Sequence, residues 1–116
     1  MKLDEFGALI KANELFDLVV EDILALERSF GIRRLADQQV GTADFIAANI
    51  EEGYGRGSQR VYAQFLIIAR GSAQETKGPY GRMKHWFSAE KIEARQSLCD
   101  EIIGILTATI TTLKSK

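Results

Sequence analysis

The sequence has few of the residues that mark several common protein classes. It contains one cysteine, Cys99, one histidine, His85, and one proline, Pro79, in 116 residues. A single cysteine excludes an internal disulfide and fits a reducing compartment. No apolar run reaches the roughly 20 residues of a membrane-spanning helix, and the N-terminus lacks the basic and apolar regions of a signal peptide. These absences predict a small cytoplasmic protein that does not bind membranes.

The chain also lacks strand-like segments, because no stretch alternates apolar and polar residues over the length of a strand. Instead, hydrophobic residues recur every three or four positions in four segments, as on the buried face of an amphipathic helix. This spacing predicts helices over residues 5–30, 35–54, 58–86 and 89–114. Short turns between such helices make neighbours antiparallel. The predicted fold is therefore all-α, an up-down-up-down four-helix bundle that forms a single domain over residues 1–116.

Glycine, serine and proline mark the predicted helix ends. Gly31 is well placed for a left-handed C-terminal cap on the first helix. Ser58 and Ser88 can accept hydrogen bonds from the first backbone N–H groups of the third and fourth helices. Pro79 lies inside the third helix, where it removes a backbone donor and predicts a kink.

The stretch "NIEEGYGRGSQ", residues 49–59, raises the question of a phosphate-binding loop. A dinucleotide-binding loop needs G-x-G-x-x-G after a strand, and a Walker loop needs G-x-x-x-x-G-K followed by Ser or Thr. Here Gly53, Gly55 and Gly57 form G-x-G-x-G after a predicted helix, which fits neither pattern. We interpret the glycines as residues that let the chain reverse between two helices. Ser58 then starts the next helix.

Two glutamates beside arginines suggest ion pairs that fix how the helices align. We expect Asn49 and Glu52 to face inward near the end of the second helix, where they would hold polar groups of the following turn and of the third helix. Glu52 would pair with Arg56 or Arg60. Glu75 is predicted to take part in a similar semi-buried pairing between helices, which would set register rather than perform chemistry.

Charge is unevenly distributed along the chain. Residues 1–52 carry five Lys/Arg against eleven Asp/Glu, whereas residues 53–91 carry seven against two. Candidate contact residues in the basic region are Arg56, Arg60, Arg70, Lys77, Arg82 and Lys84. One interpretation pairs them with the acidic first helix, in the same chain or in another subunit, through Glu14, Asp17, Glu21 and Asp22. The alternative is contact with RNA phosphates. The sequence pI near 5.8 favours the first interpretation.

The residues of catalytic and metal sites are scarce. A di-metal site in a helical bundle needs Glu-x-x-His on two helices, but the chain has one histidine and places Arg82 where the glutamate would stand. Cys99 lies on the apolar stripe of the fourth helix, where a cysteine behaves as a small buried hydrophobe. The sequence therefore predicts no catalytic residue, metal or cofactor, and a protein that is not an enzyme.

Two segments resemble the signature of a bacterial family of four-helix-bundle proteins, some encoded in intervening sequences of ribosomal RNA genes. The segments are "ANIEEGYGRGS", residues 48–58, and "FLIIARGSAQE", residues 65–75. The matching positions are Ala48, Asn49, Ile50, Glu52, Gly53, Tyr54, Gly55, Arg56, Ser58, Phe65, Leu66, Ala69, Gly71, Ser72 and Glu75. Where the family usually carries an Arg-Arg pair before Asn49, this chain has Val40 and Gly41. Its own pair, Arg33 and Arg34, falls earlier.

The resemblance implies a four-helix bundle that assembles into a ring-like homopentamer and has no known enzymatic activity. A distantly similar group, the accessory proteins of diversity-generating retroelements, binds reverse transcriptase and RNA through a basic surface. We therefore expect a non-enzymatic structural or interaction protein, a ring-like homo-oligomer that scaffolds a partner. The alternative is a nucleic-acid-binding accessory protein that uses its basic third helix.

Overall fold

A computed structural model describes residues 2–26 and 31–115 of the chain. A short 3-10 turn, Leu3–Glu5, precedes the first helix, and another, Met83–His85, follows the third. The helices are α1 (Gly7–Ala25), α2 (Arg33–Gly55), α3 (Gln59–Arg82) and α4 (Ala89–Lys114). Because the described residues contain no strand, the predicted all-α fold is confirmed.

The four helices pack as a bundle with extents of 49 × 21 × 20 Å. Helix α2 packs against α1 and α3, and α4 packs against α3 and α1. The helices α1 and α3 are therefore diagonal neighbours. Short connections between helices that pack on each other give the predicted up-down-up-down order. No helix in the described parts of the chain combines the length and apolarity needed to cross a membrane.

The predicted helix ends agree with the structure to within a few residues, except at the end of the first helix. Helix α1 ends at Ala25 rather than at residue 30, and the predicted last turn, residues 27–30, lies outside the described residues. Gly31 has a φ of 84°, the left-handed conformation expected of it, but it does not cap α1, whose C-cap is Leu26. The Ser58 hydroxyl accepts a hydrogen bond from the Val61 N–H, and Ser88 caps α4 in the same way.

Pro79 does not interrupt α3, which continues three residues further to Arg82. A proline removes one N–H, so only the carbonyl one turn earlier loses its helical partner. In the turn that ends at Pro79, the Thr76 carbonyl accepts a hydrogen bond from α2, where the buried Gln39 Nε2 donates at 2.9 Å. The α2–α3 contact therefore supports the turn in which Pro79 lies.

The core is made of the inner stripes of all four helices. Its largest fully buried apolar side chains are Leu15, Ile46, Ile50, Leu66, Tyr80, Met83, Ile102 and Leu106. Burying a side chain of this size stabilises a protein by roughly 1.5–3 kcal/mol. Helical spacing does not bury every apolar residue, because Tyr54 at the end of α2 is 44% exposed and Ile68 in α3 is 52% exposed.

Candidate interaction surface

The glycines of residues 49–59 do not share one role. Helix α2 extends to Gly55, so that Gly53 and Gly55 are helical, and only Gly57 has a positive φ, 77°. The prediction that the glycines let the chain reverse is therefore right for Gly57 alone. Ser58 follows it and caps α3, as predicted.

Gly53 allows α2 and α3 to approach each other closely. A Cβ atom added at Gly53 would lie 2.5 Å from the Cβ of Phe65 and 3.1 Å from Cδ1 of Tyr62. Real Cβ atoms do not approach other atoms so closely, so any other residue would push the two helices apart. Beside this contact, the rings of Tyr54 and Tyr62 pack edge to face with centroids 5.9 Å apart.

Glu52 pairs with Arg56 as predicted, but it does not face inward. Arg56 Nε donates to Glu52 Oε2 at 2.8 Å, and each side chain is 54% exposed. The core face of α2 passes through Ile50 and Gly53, and each helical step turns by about 100°. Glu52 therefore points to solvent, and its pair with Arg56 runs along the surface of one helix.

Asn49 and Glu75 also differ from their predicted roles. Asn49 is half-buried, and its Nδ2 donates to the Phe45 carbonyl at 2.7 Å, within α2 rather than to the following turn. Glu75 is exposed and forms no ion pair with any described residue. Its neighbours Ser72 and Thr76 take the buried positions instead, so the predicted semi-buried pairing of Glu75 is wrong.

An apolar groove lies between α2 and α3. Phe45 is 57% exposed, Ile68 is 52% exposed, and the half-buried Phe65 lies beside them. The groove has a volume of about 460 Å³, and its other lining residues are Ala48, Asn49, Glu52 and Arg56. The Arg56 guanidinium lies over the Phe65 ring, 5.3 Å from its centroid. Large exposed apolar side chains grouped in this way are typical of protein–protein contact sites.

The groove continues along both helices toward Arg82. Its second part, about 290 Å³ in volume, is lined by Gln38, Gln39, Thr42, Gln74, Glu75, Gly78, Pro79 and Arg82. Gly71 lies between the two parts on α3, and Gly41 lies on α2 beside the second part; open space surrounds both glycines. We call the whole surface, from Arg56 at one end to Arg82 at the other, the α2–α3 groove.

The predicted basic contact residues do not form one free surface. Arg56 is paired with Glu52, Arg70 donates to the Thr107 hydroxyl at 3.3 Å, and Lys77 pairs with Asp100 at 2.8 Å. Arg70 and Lys77 thus turn toward α4. Three others are exposed and form no ion pair with the described residues: Arg60, Arg82 and Lys84.

A protein-family model described as 23S rRNA-intervening sequence protein matches residues 6–108 of the chain. The chain belongs to this family. The match covers most of the chain, including the segments at residues 48–58 and 65–75 that line the groove, and it confirms the resemblance noted from the sequence. Comparisons with curated proteins and with solved structures found no match.

This family member also has a buried polar cluster, which connects α1, α3 and α4. Asp22, 1% exposed, accepts a hydrogen bond from the Tyr80 hydroxyl at 2.7 Å. Arg95 donates to both carboxylate oxygens, from Nε at 2.8 Å and from Nη2 at 3.0 Å. The Lys91 Nζ lies 3.5 Å from Oδ1. We call these four residues the Asp22 cluster.

Protonation equilibria in the Asp22 cluster follow from burial and charge. Burial alone would raise the pKa of Asp22, but the bonds from Arg95 and Tyr80, and the charges of Arg95 and Lys91, hold it below its usual value. Burial and the hydrogen bond to Asp22 raise the pKa of Tyr80. At neutral pH the cluster therefore contains the Asp22 carboxylate anion, the neutral Tyr80 phenol and the Arg95 guanidinium cation.

The sequence interpretation missed this cluster, since it assigned Asp22 to an acidic surface and gave Arg95 no role. Asp22 was expected to pair with the basic third segment, but its cation partners are on α4. A signal for burial was present. Asp22 follows Val19 by three positions and Leu15 by seven, so it lies on the core face of α1.

The remaining candidate for chemistry is Cys99, which is fully buried on α4 as predicted. Burial raises the pKa of its thiol to about 12, so the nucleophilic thiolate is scarce at neutral pH. His85 is exposed and packs edge-on against Trp86. Within residues 2–26 and 31–115, no group of His, Cys, Asp and Glu is arranged to hold a metal ion. The described surface therefore offers apolar contact in the α2–α3 groove, and Arg60, Arg82 and Lys84 are the exposed members of the predicted basic set that form no ion pair with the described residues.

Proposed function

We propose that this family member is a non-enzymatic interaction protein that assembles with copies of itself into a closed ring and scaffolds a protein partner. The resemblance noted from the sequence supports a pentamer. The observation that carries the proposal is the α2–α3 groove, where Phe45 and Ile68 are more than half exposed beside Phe65.

Burial of these side chains would favour association. Removing apolar surface from water contributes roughly 25 cal/mol per Å², and large aromatic side chains dominate the energetics of many interfaces. The two segments that carry the family signature, residues 48–58 and 65–75, supply part of the lining of the groove. Gly53 brings α2 close to α3 at Phe65, one of the lining residues.

Light scattering of wild type and of two groove variants, Phe45→Glu and Ile68→Glu, tests self-association. We expect wild type at a multiple of the 12.9 kDa protomer mass. Each variant should shift to the protomer mass while keeping its helical circular dichroism. Ala108→Glu is a matched control, because Ala108 is exposed on α4, outside the groove, and it should assemble like wild type. Wild type at the protomer mass throughout the micromolar range would contradict the proposal.

A second function, nucleic-acid binding, is favoured by one observation. Arg60, Arg82 and Lys84 are exposed, and none of them forms an ion pair with the described residues. Unpaired guanidinium and ammonium groups are the side chains that contact phosphates. These three residues, rather than Arg70 or Lys77, are therefore the candidate contacts.

Binding to single-stranded RNA at several salt concentrations tests this second function. Each lost phosphate contact lowers the slope of log affinity against log salt by roughly 0.7. The triple variant of Arg60, Arg82 and Lys84 to alanine should lose both affinity and slope. Lys77→Ala, which removes a lysine already paired with Asp100, should bind almost like wild type. No salt-sensitive retention of RNA by wild type would rule out this function.

A further inference from the structure

We infer that the second part of the α2–α3 groove binds a primary carboxamide, carried by a small amide or by an asparagine or glutamine side chain of a partner. This pocket lies between α2 and α3 and has a volume of about 290 Å³. Its ligand is separate from self-association, because it is selected by hydrogen-bonding groups that the four helices leave unused. We call it the Gln39 pocket.

The first unused group is the side-chain oxygen of Gln39. Gln39 lines the pocket and is 1% exposed, and its Nε2 donates to the Thr76 carbonyl at 2.9 Å. That bond identifies the other end of the carboxamide as the oxygen, since only the nitrogen can donate. No described residue donates to this Oε1. A buried acceptor without a donor is costly, so a ligand that donates to Oε1 is stabilised there.

The second unused group is the main-chain carbonyl of Glu75. In an uninterrupted helix it would accept from the N–H four residues later, but that residue is Pro79, which has no N–H. Glu75 and Pro79 both line the pocket, and so does Gly78, around which the space is open. Glu75 directly precedes Thr76, the partner of Gln39. Both unused acceptors therefore belong to one turn of α3 and its contact with α2.

An unused donor lines the same pocket. Arg82 is exposed and forms no ion pair with the described residues. The charges of the lining come from Arg82 and Glu75, and they cancel. Charge therefore selects neither an anion nor a cation, and the choice of ligand rests on hydrogen bonds.

A primary carboxamide has the matching set of hydrogen-bonding groups. Its nitrogen carries two N–H donors, and its oxygen is an acceptor. The two donors match Gln39 Oε1 and the Glu75 carbonyl, and the oxygen matches the Arg82 guanidinium. A carboxylate would bring only acceptors to the two carbonyl oxygens, and an ammonium group would give Arg82 no acceptor.

The size and the lining of the pocket allow such a ligand to enter. A volume of about 290 Å³ is well above the roughly 30 Å³ that one water molecule occupies in the liquid. The side chains around the buried Gln39 include the exposed and flexible Gln38, Gln74, Glu75 and Arg82. Because exposed side chains change rotamer within nanoseconds, they do not bar a ligand from Oε1.

Titration with propionamide, followed by nuclear magnetic resonance, tests the site. The signals observed are the Gln39 side-chain amide and the Gly78 backbone amide, and both should shift saturably in the millimolar range. N,N-dimethylpropionamide lacks both donors and should leave them unshifted. The titration uses wild type and Phe45→Glu, so that a pocket covered by self-association is not mistaken for an absent site.

Two variants remove one partner each and leave Gln39 intact. Pro79→Ala returns an N–H to the Glu75 carbonyl and fits a helix better than proline, so it should fold and bind propionamide several-fold more weakly. Arg82→Ala removes the donor to the ligand oxygen and should weaken binding as well. Arg60→Ala is the matched control, because Arg60 is an exposed, unpaired arginine of α3 outside this pocket. It should bind like wild type.

The tripeptide Gly-Gln-Gly, compared with Gly-Glu-Gly, separates the two sources of the carboxamide. Tighter binding of Gly-Gln-Gly than of propionamide assigns the site to a partner's side chain, and the reverse order assigns it to a small amide. No saturable shift in either protein would overturn the site, since Gln39 Oε1 is then satisfied by water or by a neighbouring glutamine. Equal binding of the dimethyl compound, or unchanged binding by Pro79→Ala or Arg82→Ala, would also overturn it.

Discussion

The Asp22 cluster buries polar and charged groups, whereas the α2–α3 groove exposes large apolar side chains. In the cluster a charged carboxylate and a tyrosine hydroxyl are fully buried, and each has its partners within the chain. In the groove, a phenylalanine and an isoleucine remain more than half exposed. Buried charge costs desolvation, so it persists where the hydrogen bonds are complete. Large apolar side chains grouped on an exposed surface are typical of sites where a second molecule binds.

Under the proposed function, the contrast separates what holds one copy together from what would join copies. Asp22, Tyr80 and Arg95 come from α1, α3 and α4, so their bonds fix the alignment of three helices within the chain. The groove lies on α2 and α3. Its exposed ion pair, Glu52 with Arg56, stays within α2, and the buried Gln39 joins α2 to α3 beneath it. Substitutions in the two regions should therefore have different consequences, the first for stability and the second for assembly.

The largest effect on stability is expected from Asp22→Ala. Removing the carboxylate leaves the largely buried Arg95 and the Tyr80 hydroxyl without their partner. Breaking a buried pair in this way costs roughly 3–5 kcal/mol. Urea unfolding followed by circular dichroism measures the loss. Asp17→Ala, an exposed position on the same helix, should change stability by less than about 0.5 kcal/mol. Equal effects of the two variants would break the comparison.

Gly53→Ala should have the next largest effect, because the new Cβ would clash with Phe65. Forcing extra volume into a packed contact costs typically 1–3 kcal/mol, against a gain of about 1 kcal/mol in helix propensity. Gly104→Ala is the control, since Gly104 is also helical and open space surrounds it. It should stabilise the protein by about 0.5–1 kcal/mol. Stabilisation by Gly53→Ala to the same extent would show that the helices are free to separate.

Acid should weaken the Asp22 cluster. The folded-state pKa of Asp22 lies below its ordinary value of 3.8, so folding favours the ionised form. Its contribution is present above the unfolded-state pKa of about 3.9 and is lost as the pH falls through the lower folded value. Unfolding free energies should therefore fall more steeply below about pH 4 in wild type than in Asp22→Asn. If unfolding free energy falls equally with pH in wild type and in Asp22→Asn, Asp22 does not contribute to the loss of stability in acid.

The smallest effect is expected from Glu52→Ala. The pair with Arg56 is exposed on both sides, and exposed ion pairs contribute roughly 0–1 kcal/mol. Thermal unfolding should show little change, whereas an inward-facing Glu52 would have made this substitution as damaging as Asp22→Ala. A loss of several kcal/mol would mean that Glu52 is buried in the assembled protein.

The sequence was sufficient for features set by local chemistry. Helical spacing, the caps at Ser58 and Ser88, and the left-handed Gly31 depend on neighbouring residues, and all were predicted. The close approach at Gly53 and the bonds from Arg95 to Asp22, 73 positions apart, depend on tertiary packing. Hydrophobic spacing also could not separate core residues from exposed ones, because Ile68 continues the same stripe as buried positions of α3.

The central claim is that another copy covers the groove, and concentration-dependent carbene labelling of side chains measures this most directly. We expect labelling of Phe45 and Ile68 to fall as the protein concentration is raised through the assembly transition seen by light scattering. Labelling of Thr111, exposed on α4 away from the groove, should stay constant. If Phe45 and Ile68 are labelled equally before and after assembly, the groove is not the contact and the account is contradicted.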